Sequence, residues 1–401
     1  MRILMLTSVY RDETLGLKDP STNIVNSFVK EWKKQGNDVL VIHNSHCYPR
    51  IFYAIPSKIK QTLSSKMGFA ILDYRVIQKK IYVSSGVKVF RLPIKKIIPH
   101  MRPGKYAIKK QVQRIADILE VEKFIPDVMV GHWASPQMEI ISELKKIYPC
   151  KTAVILHGLS YITAPDFDAN KYLENIDILG ARSLTQAKQI QEILHLSKMP
   201  FVCNSGVPDE YLDAYNINLD KFRNIKNLEI TYVGRLVSYK NVDATIRALA
   251  QIKDVNWKFN IVGDGATRAA LEKLAKESDC DDKIRFWGWV SREEVMKILK
   301  DTHIFVMIST NEIFGLVYLE AMAASCITIA SKGGGVDGII VNGENGYLCQ
   351  EGNDMELLAI LKAIEKKSFS DIANIVRKGY MTAEEYKDSN VAKKYLDNIV
   401  K

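Results

Sequence analysis

The chain has 401 residues, 47% of them apolar and 25% charged, with a formal net charge of +10. That length exceeds the range in which one core keeps growing, so two domains of an ordinary globular protein are expected. Six cysteines (47, 150, 203, 280, 326, 349) lie far apart with no C-x-x-C pair, which excludes a disulfide framework. With no secretory signal at the start, it predicts reduced thiols in a cytoplasmic protein. No window approaches about 18 apolar residues, so no transmembrane helix is expected. The charge is uneven: residues 1–200 hold 30 basic against 17 acidic side chains, and the remainder 26 against 29. Residues 50–110 carry 15 basic side chains and one acid, Asp73. A solvated lysine-rich surface explains this blandly. The interleaved apolar residues of PRIFYAIPSKIK suit instead an interfacial segment facing anionic lipid or a phosphate-bearing acceptor. No nucleic-acid-binding module accompanies the charge, so nucleic acid is not expected as a partner.

The hydrophobic period alternates along the chain. MRILMLTSV is a buried strand, NIVNSFVKEWKKQG a helix ending at Gly36, and NDVLVIHN a second strand. YVSSGVKVFRLPI reads as strands, residues 106–122 as a helix, PDVMVGHW as a strand, MEIISELKKIY as a helix and KTAVILHG as a strand. Turn residues thicken around NSGVPDEYL, and the alternation restarts at LEITYVGRL, running through VDATIRALAQI, WKFNIVGDG, RAALEKLAKES, KIRFWGWV, EEVMKILKDT and HIFVMIST. Strand–helix–strand repetition predicts parallel sheets covered by helices, hence an α/β fold of two doubly wound domains. The expected boundaries are 1–204 and 205–385, with a terminal helix over 386–401 packing back on the first domain. Ligands of such sheets bind beyond the carboxyl ends of the strands, and two such ends could face one cleft.

Three patterns look functional but are weak. GGGVDG (333–338) fits G-x-G-x-x-G, yet IIVNGENGYLC after it reads as strand and turn, not the helix a dinucleotide phosphate needs. DFD (166–168) reads as a solvated loop, and the histidines of HNSH (43–46) lack companions for zinc. No metal site is expected.

The stretch NEIFGLVYLEAMAAS (311–325) is different. Glu312 falls in the loop before a helix that begins near Gly315 or Leu316, and Glu320 lies about one turn inside it. The amides near Gly315 and Leu316 make an anion site at the positive helix end, and Gly315 lets a phosphate come close. YVGRLVSYKN (232–241) places Arg235 and Lys240 just past a strand end, the cations that a diphosphate clamp needs. Two cations and a helix dipole could neutralise a leaving diphosphate without metal.

Taken together, these residues resemble the retaining nucleotide-sugar glycosyltransferases of family 4, which have the GT-B fold. The E-x7-E frame appears as EIFGLVYLEAMA, the G-R-L segment as YVGRLVSYK, and two further motifs as IVGDG and FWGWV. The resemblance implies two Rossmann-like domains facing a central cleft. It also implies roles: Glu320 on the ribose hydroxyls, the backbone at Trp289 and Val290 facing the base, and Glu312 on the donor-sugar hydroxyls. Arg235, Lys240 and the Gly315–Leu316 amides would hold the diphosphate, with Phe314, Gly234 and Gly263 in the donor-binding loops. His157, after the strand VIL, resembles the family histidine that approaches the donor sugar; taken alone it is equally a core or loop histidine. Gly16 and Asn23, around the DPSTN stretch, would lie on the acceptor side. Departures exist: Ser325-Cys326-Ile327-Thr328 replaces a glycine- and proline-containing turn, and Gly338 stands where an acid is common, with Asp337 one place earlier.

The implied activity is metal-independent transfer of a hexosyl or N-acetylhexosaminyl group, with retention, from a UDP-sugar in preference to a GDP-sugar. No cofactor is implied. The acceptor would be a lipid-linked or polysaccharide-precursor glycan, met in the cytoplasm or on the inner face of the cytoplasmic membrane. A nucleotide-sugar epimerase of similar architecture and a non-catalytic glycan- or lipid-binding protein remain as alternatives.

Overall fold

The computed structural model describes residues 1–12, 23–49, 53, 78–97, 101–214, 217–223 and 228–400. The chain divides into two compact units: Met1–Arg182 with Gln186–Asn204 and Val391–Lys401, and Ser183–Thr185 with Ser205–Asn390. The final helix, Asp388–Val400, therefore starts in the second unit and lends its length from Val391 to the first.

Among the described residues, ten strands belong to the first unit: β1 (Arg2–Thr7), β2 (Asp38–His43), β3 (His46–Cys47), β4 (Lys80–Ser84), β5 (Val87–Arg91), β6 (Ile94–Lys95), β7 (Val128–His132), β8 (Lys151–Leu156), β9 (Ile178–Ala181) and β10 (Phe201–Val202). Eight form one sheet in the order β10-β9-β8-β7-β1-β2-β5-β4, and β3 pairs with β6 apart from it. The central strands are continuous apolar runs because helices bury both faces, as in β1, where Ile3 to Thr7 are all buried. One strand departs from the expected alternation. β4 runs antiparallel to β5, since Ser85 and Gly86 both have positive φ (49° and 74°) and make a two-residue hairpin turn. Its outward residues Ile81 and Val83 are exposed at the sheet edge.

The second unit holds β11 (Leu228–Val233), β12 (Trp257–Val262), β13 (Ile284–Gly288), β14 (Ile304–Met307), β15 (Ile327–Ser331) and β16 (Tyr347–Cys349) in the order β13-β12-β11-β14-β15-β16. Every pairing is parallel. In both sheets the winding direction reverses once, at β1/β7 and at β11/β14. Such a reversal splays the connecting loops apart and leaves a crevice at the strands' carboxyl ends. The loops after β11 and β14 carry Arg235, Lys240 and Glu312.

Candidate active site

In the second unit the loop after β11 closes with a short 3-10 turn, Ser238–Lys240, followed by Asn241 in the left-handed region (φ 52°). Asn241 Nδ2 donates to the Ile308 carbonyl (2.9 Å) and to Thr310 Oγ1 (3.1 Å), and the Thr310 amide donates to the Tyr239 carbonyl (2.8 Å). These bonds pin the β11 loop to the β14 loop across the reversal. The Lys240 ammonium meets the Glu312 carboxylate as a result, with both side chains mostly buried. Burial first, and then the Glu312 charge, pushes the neighbouring phenols of Tyr232 and Tyr318 above the ordinary tyrosine range.

Gly315 caps the helix Leu316–Ala323 in the left-handed region (φ 73°). A Cβ there would stand 2.3 Å from the Tyr318 ring and 3.1 Å from Glu312 Cγ. Only glycine lets the Glu312 side chain cross the helix start. Gly335 plays the corresponding part from GGGVDG: a Cβ on it would lie 2.3 Å from Phe314 Cα. The glycine run is thus a backbone-packing device behind the Ile313–Phe314 segment, and turns rather than a helix follow it. Ser325, where the family pattern has a small-residue turn, adopts φ 60° and its hydroxyl accepts from the Asn218 amide (3.0 Å).

The other second-unit residues fall at the same end of the sheet. Gly234 and Gly263 adjoin: a Gly263 Cβ would sit 1.9 Å from the Gly234 carbonyl oxygen. Arg235 is exposed, and its Nη2 donates to the Tyr239 hydroxyl (3.0 Å). Trp289 is 69% exposed and Val290 half-buried, a free apolar surface beside the β13 end. Glu320 is buried and does not join Glu312. Its Oε1 accepts from Arg292 Nε (2.8 Å) and Nη2, while Arg292 lies over the Tyr211 ring, 5.4 Å from its centroid. Arg292 was not found in the sequence. It opens the helix Arg292–Asp301 after the Ser291 cap, where nothing local indicates a partner 28 residues on. It uses one carboxylate oxygen of Glu320, Oε1.

In the first unit His157 follows β8 and stacks on Trp133 (centroids 4.0 Å, 21°). Its Nε2 shares a proton with His132 Nδ1 (2.7 Å), and His132 Nε2 meets the Tyr395 hydroxyl (3.0 Å). Burial, helped by the Arg182 charge, holds both imidazoles well below their usual pKa. His157 is therefore a neutral, oriented ring. Asn23 precedes the helix Ile24–Lys34 and accepts no side-chain cap bond; Gly16 lies outside the described residues. Of the weaker patterns, Asp166 pairs with Arg102 (3.2 Å) and Asp168 accepts from the Asn170 amide (3.1 Å), so both serve local structure. Among the described residues no three His, Cys, Asp or Glu side chains converge as metal ligands would.

Residues 218–380 match the family model described as glycosyl transferases group 1. The segment contains every second-unit residue of the site but Tyr211. The chain is 28% identical to the N-acetyl-alpha-D-glucosaminyl L-malate synthase of Bacillus anthracis, over 59% of this chain and 62% of that one. With one uncharacterised glycosyltransferase of Methanocaldococcus jannaschii it shares 28% over 58% and 63% of the two chains, and with another 26% over 82% and 87%. The chain thus spans less than two thirds of the first two of these relatives. Among solved structures, the Anabaena protein HepE in complex with UDP superimposes with a TM-score of 0.68 at 17% identity, covering all of both chains. The galactosyltransferase WaaB of the lipopolysaccharide outer core gives 0.67 at 17%, covering 100% and 99%. The fold is that of the GT-B glycosyltransferases.

Proposed function

We propose that this chain transfers a hexosyl or N-acetylhexosaminyl group from a UDP-sugar to an acceptor hydroxyl, with retention and without metal. The observation that carries the reading is the Lys240–Glu312 pair beside the Gly315-capped helix start, at the reversal point of the second sheet. Its relatives support it: one is named an N-acetyl-alpha-D-glucosaminyl L-malate synthase, and HepE is described with UDP and with UDP-glucose. In this scheme the bond from the anomeric carbon to the diphosphate oxygen breaks and its electron pair leaves with the diphosphate. Arg235, Lys240 and the Gly315–Leu316 amides receive that charge, which is where preorganised donors lower a barrier most. The acceptor oxygen forms the new bond on the same face and passes its proton to the departing diphosphate oxygen. Glu312 orients the sugar hydroxyls and Glu320 the ribose; in the first unit His157 offers a neutral ring.

A thermal-shift panel of UDP, GDP, ADP and CDP, each with and without EDTA, tests this. UDP at ~100 times its Kd should add about 2.7 kcal/mol of stability, in EDTA as well as without it. Arg292→Met should weaken UDP binding about tenfold or more, because Glu320 loses the cation that orients it. A UDP shift abolished by EDTA would overturn the metal-free clamp, and no shift with any nucleotide would overturn the donor reading.

We further infer a peripheral position on an anionic membrane, on the cytoplasmic side. The first unit exposes Ile81, Val83, Ile97, Met101 and Tyr106 among exposed Lys79, Lys88, Lys95, Lys105, Lys109 and Lys110. No described helix is long and apolar enough to cross a membrane. Each interfacial lysine adds about 1 kcal/mol on an anionic surface. The protein should therefore sediment with anionic vesicles at least about tenfold more tightly than with neutral ones; equal sedimentation rejects the surface.

A further inference from the structure

The first unit buries a lysine in an unusual way. Lys96 extends the short β3–β6 pair, its amide bonded to the Cys47 carbonyl (2.8 Å). The register sets His46 opposite Ile94. Ile94 and Lys96 then turn to one face with His46, while Lys95 between them is exposed. Lys96 is only 4% exposed, yet no described carboxylate forms an ion pair with it; its ammonium lies 6.0 Å from the centre of the Tyr161 ring. Burial pulls that ammonium down to about 8, with the Glu139 charge opposing. Two buried polar atoms here lack a hydrogen-bond partner, His46 Nε2 and Glu139 Oε2. Burial, then the charges of Lys96 and His43, takes His46 down to about 3, so it is a neutral ring; burial raises the Glu139 carboxyl.

Two other described cations with little exposure do have close partners. Lys221 donates to the carbonyls of Thr302 (2.6 Å), Ala324 (2.9 Å) and Lys300 (3.3 Å), and Arg91 pairs with Asp12 (2.9 Å). An ammonium removed from water with no ion pair to hold it costs stability, which a bound anion offsets. The place is also right for a ligand. Lys96 and His46 follow β5 and β2, Glu139 stands in the first turn after β7, and Tyr161 lies in the loop after β8. All four gather at the carboxyl end of the sheet, where doubly wound folds bind ligands.

We propose that Lys96 is the core of an anion-binding subsite for the acceptor, which therefore carries a compact carboxylate or phosphate. This rests on the transferase reading above, since only a transferase has an acceptor. His46 Nε2 and the Tyr161 hydroxyl are the neutral groups that complete the anion's hydrogen bonds, and Glu139, when protonated, adds a donor.

The test uses the full chain and two probes, inorganic phosphate and malonate, titrated by thermal shift at constant ionic strength. UDP is present at saturation so that the diphosphate clamp is filled. The wild type should respond to at least one probe, and the tighter of the two names the anion. Lys96→Met should weaken that response by about tenfold or more while leaving the UDP shift unchanged, which shows the protein to be folded; Lys96→Gln serves if the methionine variant does not fold. Equal titration of wild type and variant, or no response of the wild type to either probe, overturns the subsite. A wild type that ignores UDP overturns the donor reading instead, and the same titrations without UDP then decide on Lys96.

Discussion

Replacing Lys240 by methionine should cut glycosyl transfer by about 10²–10³-fold, the range seen when one well-aimed donor to a developing charge is removed. Two losses combine. The diphosphate loses a cation, and Glu312, whose side chain is 14% exposed, keeps a carboxylate with no counter-ion. Breaking one side of a buried pair costs about 3–5 kcal/mol, and less where water reaches it, so the variant should also melt earlier. Pairing Lys240→Met with Glu312→Gln separates the two effects. The double variant should recover thermal stability, because no unpaired charge remains, but not transfer, because the clamp is still gone and the carboxylate that orients the sugar is gone with it. Transfer by Lys240→Met within about threefold of wild type would remove Lys240 from the chemistry. Recovery of transfer in the double variant would reduce it to a mere counter-ion of Glu312.

Much of this arrangement was legible in the sequence because it depends on short-range rules. Continuous apolar runs gave the parallel strands, and Gly315 before an apolar helical stretch gave the helix start. Arg235 and Lys240 were visible because they follow a strand directly. Contacts made by folding over distance were not. Arg292 reaches Glu320 only because the loops after β13 and β14 converge, and no local pattern encodes that. The β4–β5 hairpin was missed for a different reason: Ser85 and Gly86 signal a tight turn, but alternating apolar residues do not say whether the next strand is parallel. GGGVDG was set aside correctly, because strand and turn residues follow it, but its real role was not legible. Its spacing fits a phosphate loop, while Gly335 is glycine because the Phe314 backbone occupies the place of a side chain.

Gly263→Ala tests the support beneath the site, and its effect on stability should be among the largest of any methyl added to this chain. Gly263 has φ 135°, a conformation that L side chains rarely adopt, and its Cβ would stand 1.9 Å from the Gly234 carbonyl oxygen and 2.9 Å from that carbonyl's carbon. The obstacle is backbone, so no rotamer relieves it. Neither loop can yield cheaply. Gly234 N donates to the Val262 carbonyl (2.9 Å), Leu236 N to Asp264 (3.0 Å), and Gly263 N to the Gly288 carbonyl (2.8 Å). Moving one loop therefore drags the ends of β11, β12 and β13 together. A cost of about 4 kcal/mol is expected, at the upper end for single substitutions, lowering Tm by roughly 10 °C in a unit of this size. Gly343→Ala is the matched control. Gly343 also has positive φ (78°) but nothing lies within 4 Å of its Cβ, so only the left-handed penalty of about 1–2 kcal/mol applies. Because Arg235 follows Gly234 directly, the displaced loop should also lose UDP affinity, whereas Gly343→Ala should bind UDP as the wild type does. Equal melting of the two variants would show that the β11 and β12 loops give way easily, and that the clamp is not held by backbone contact.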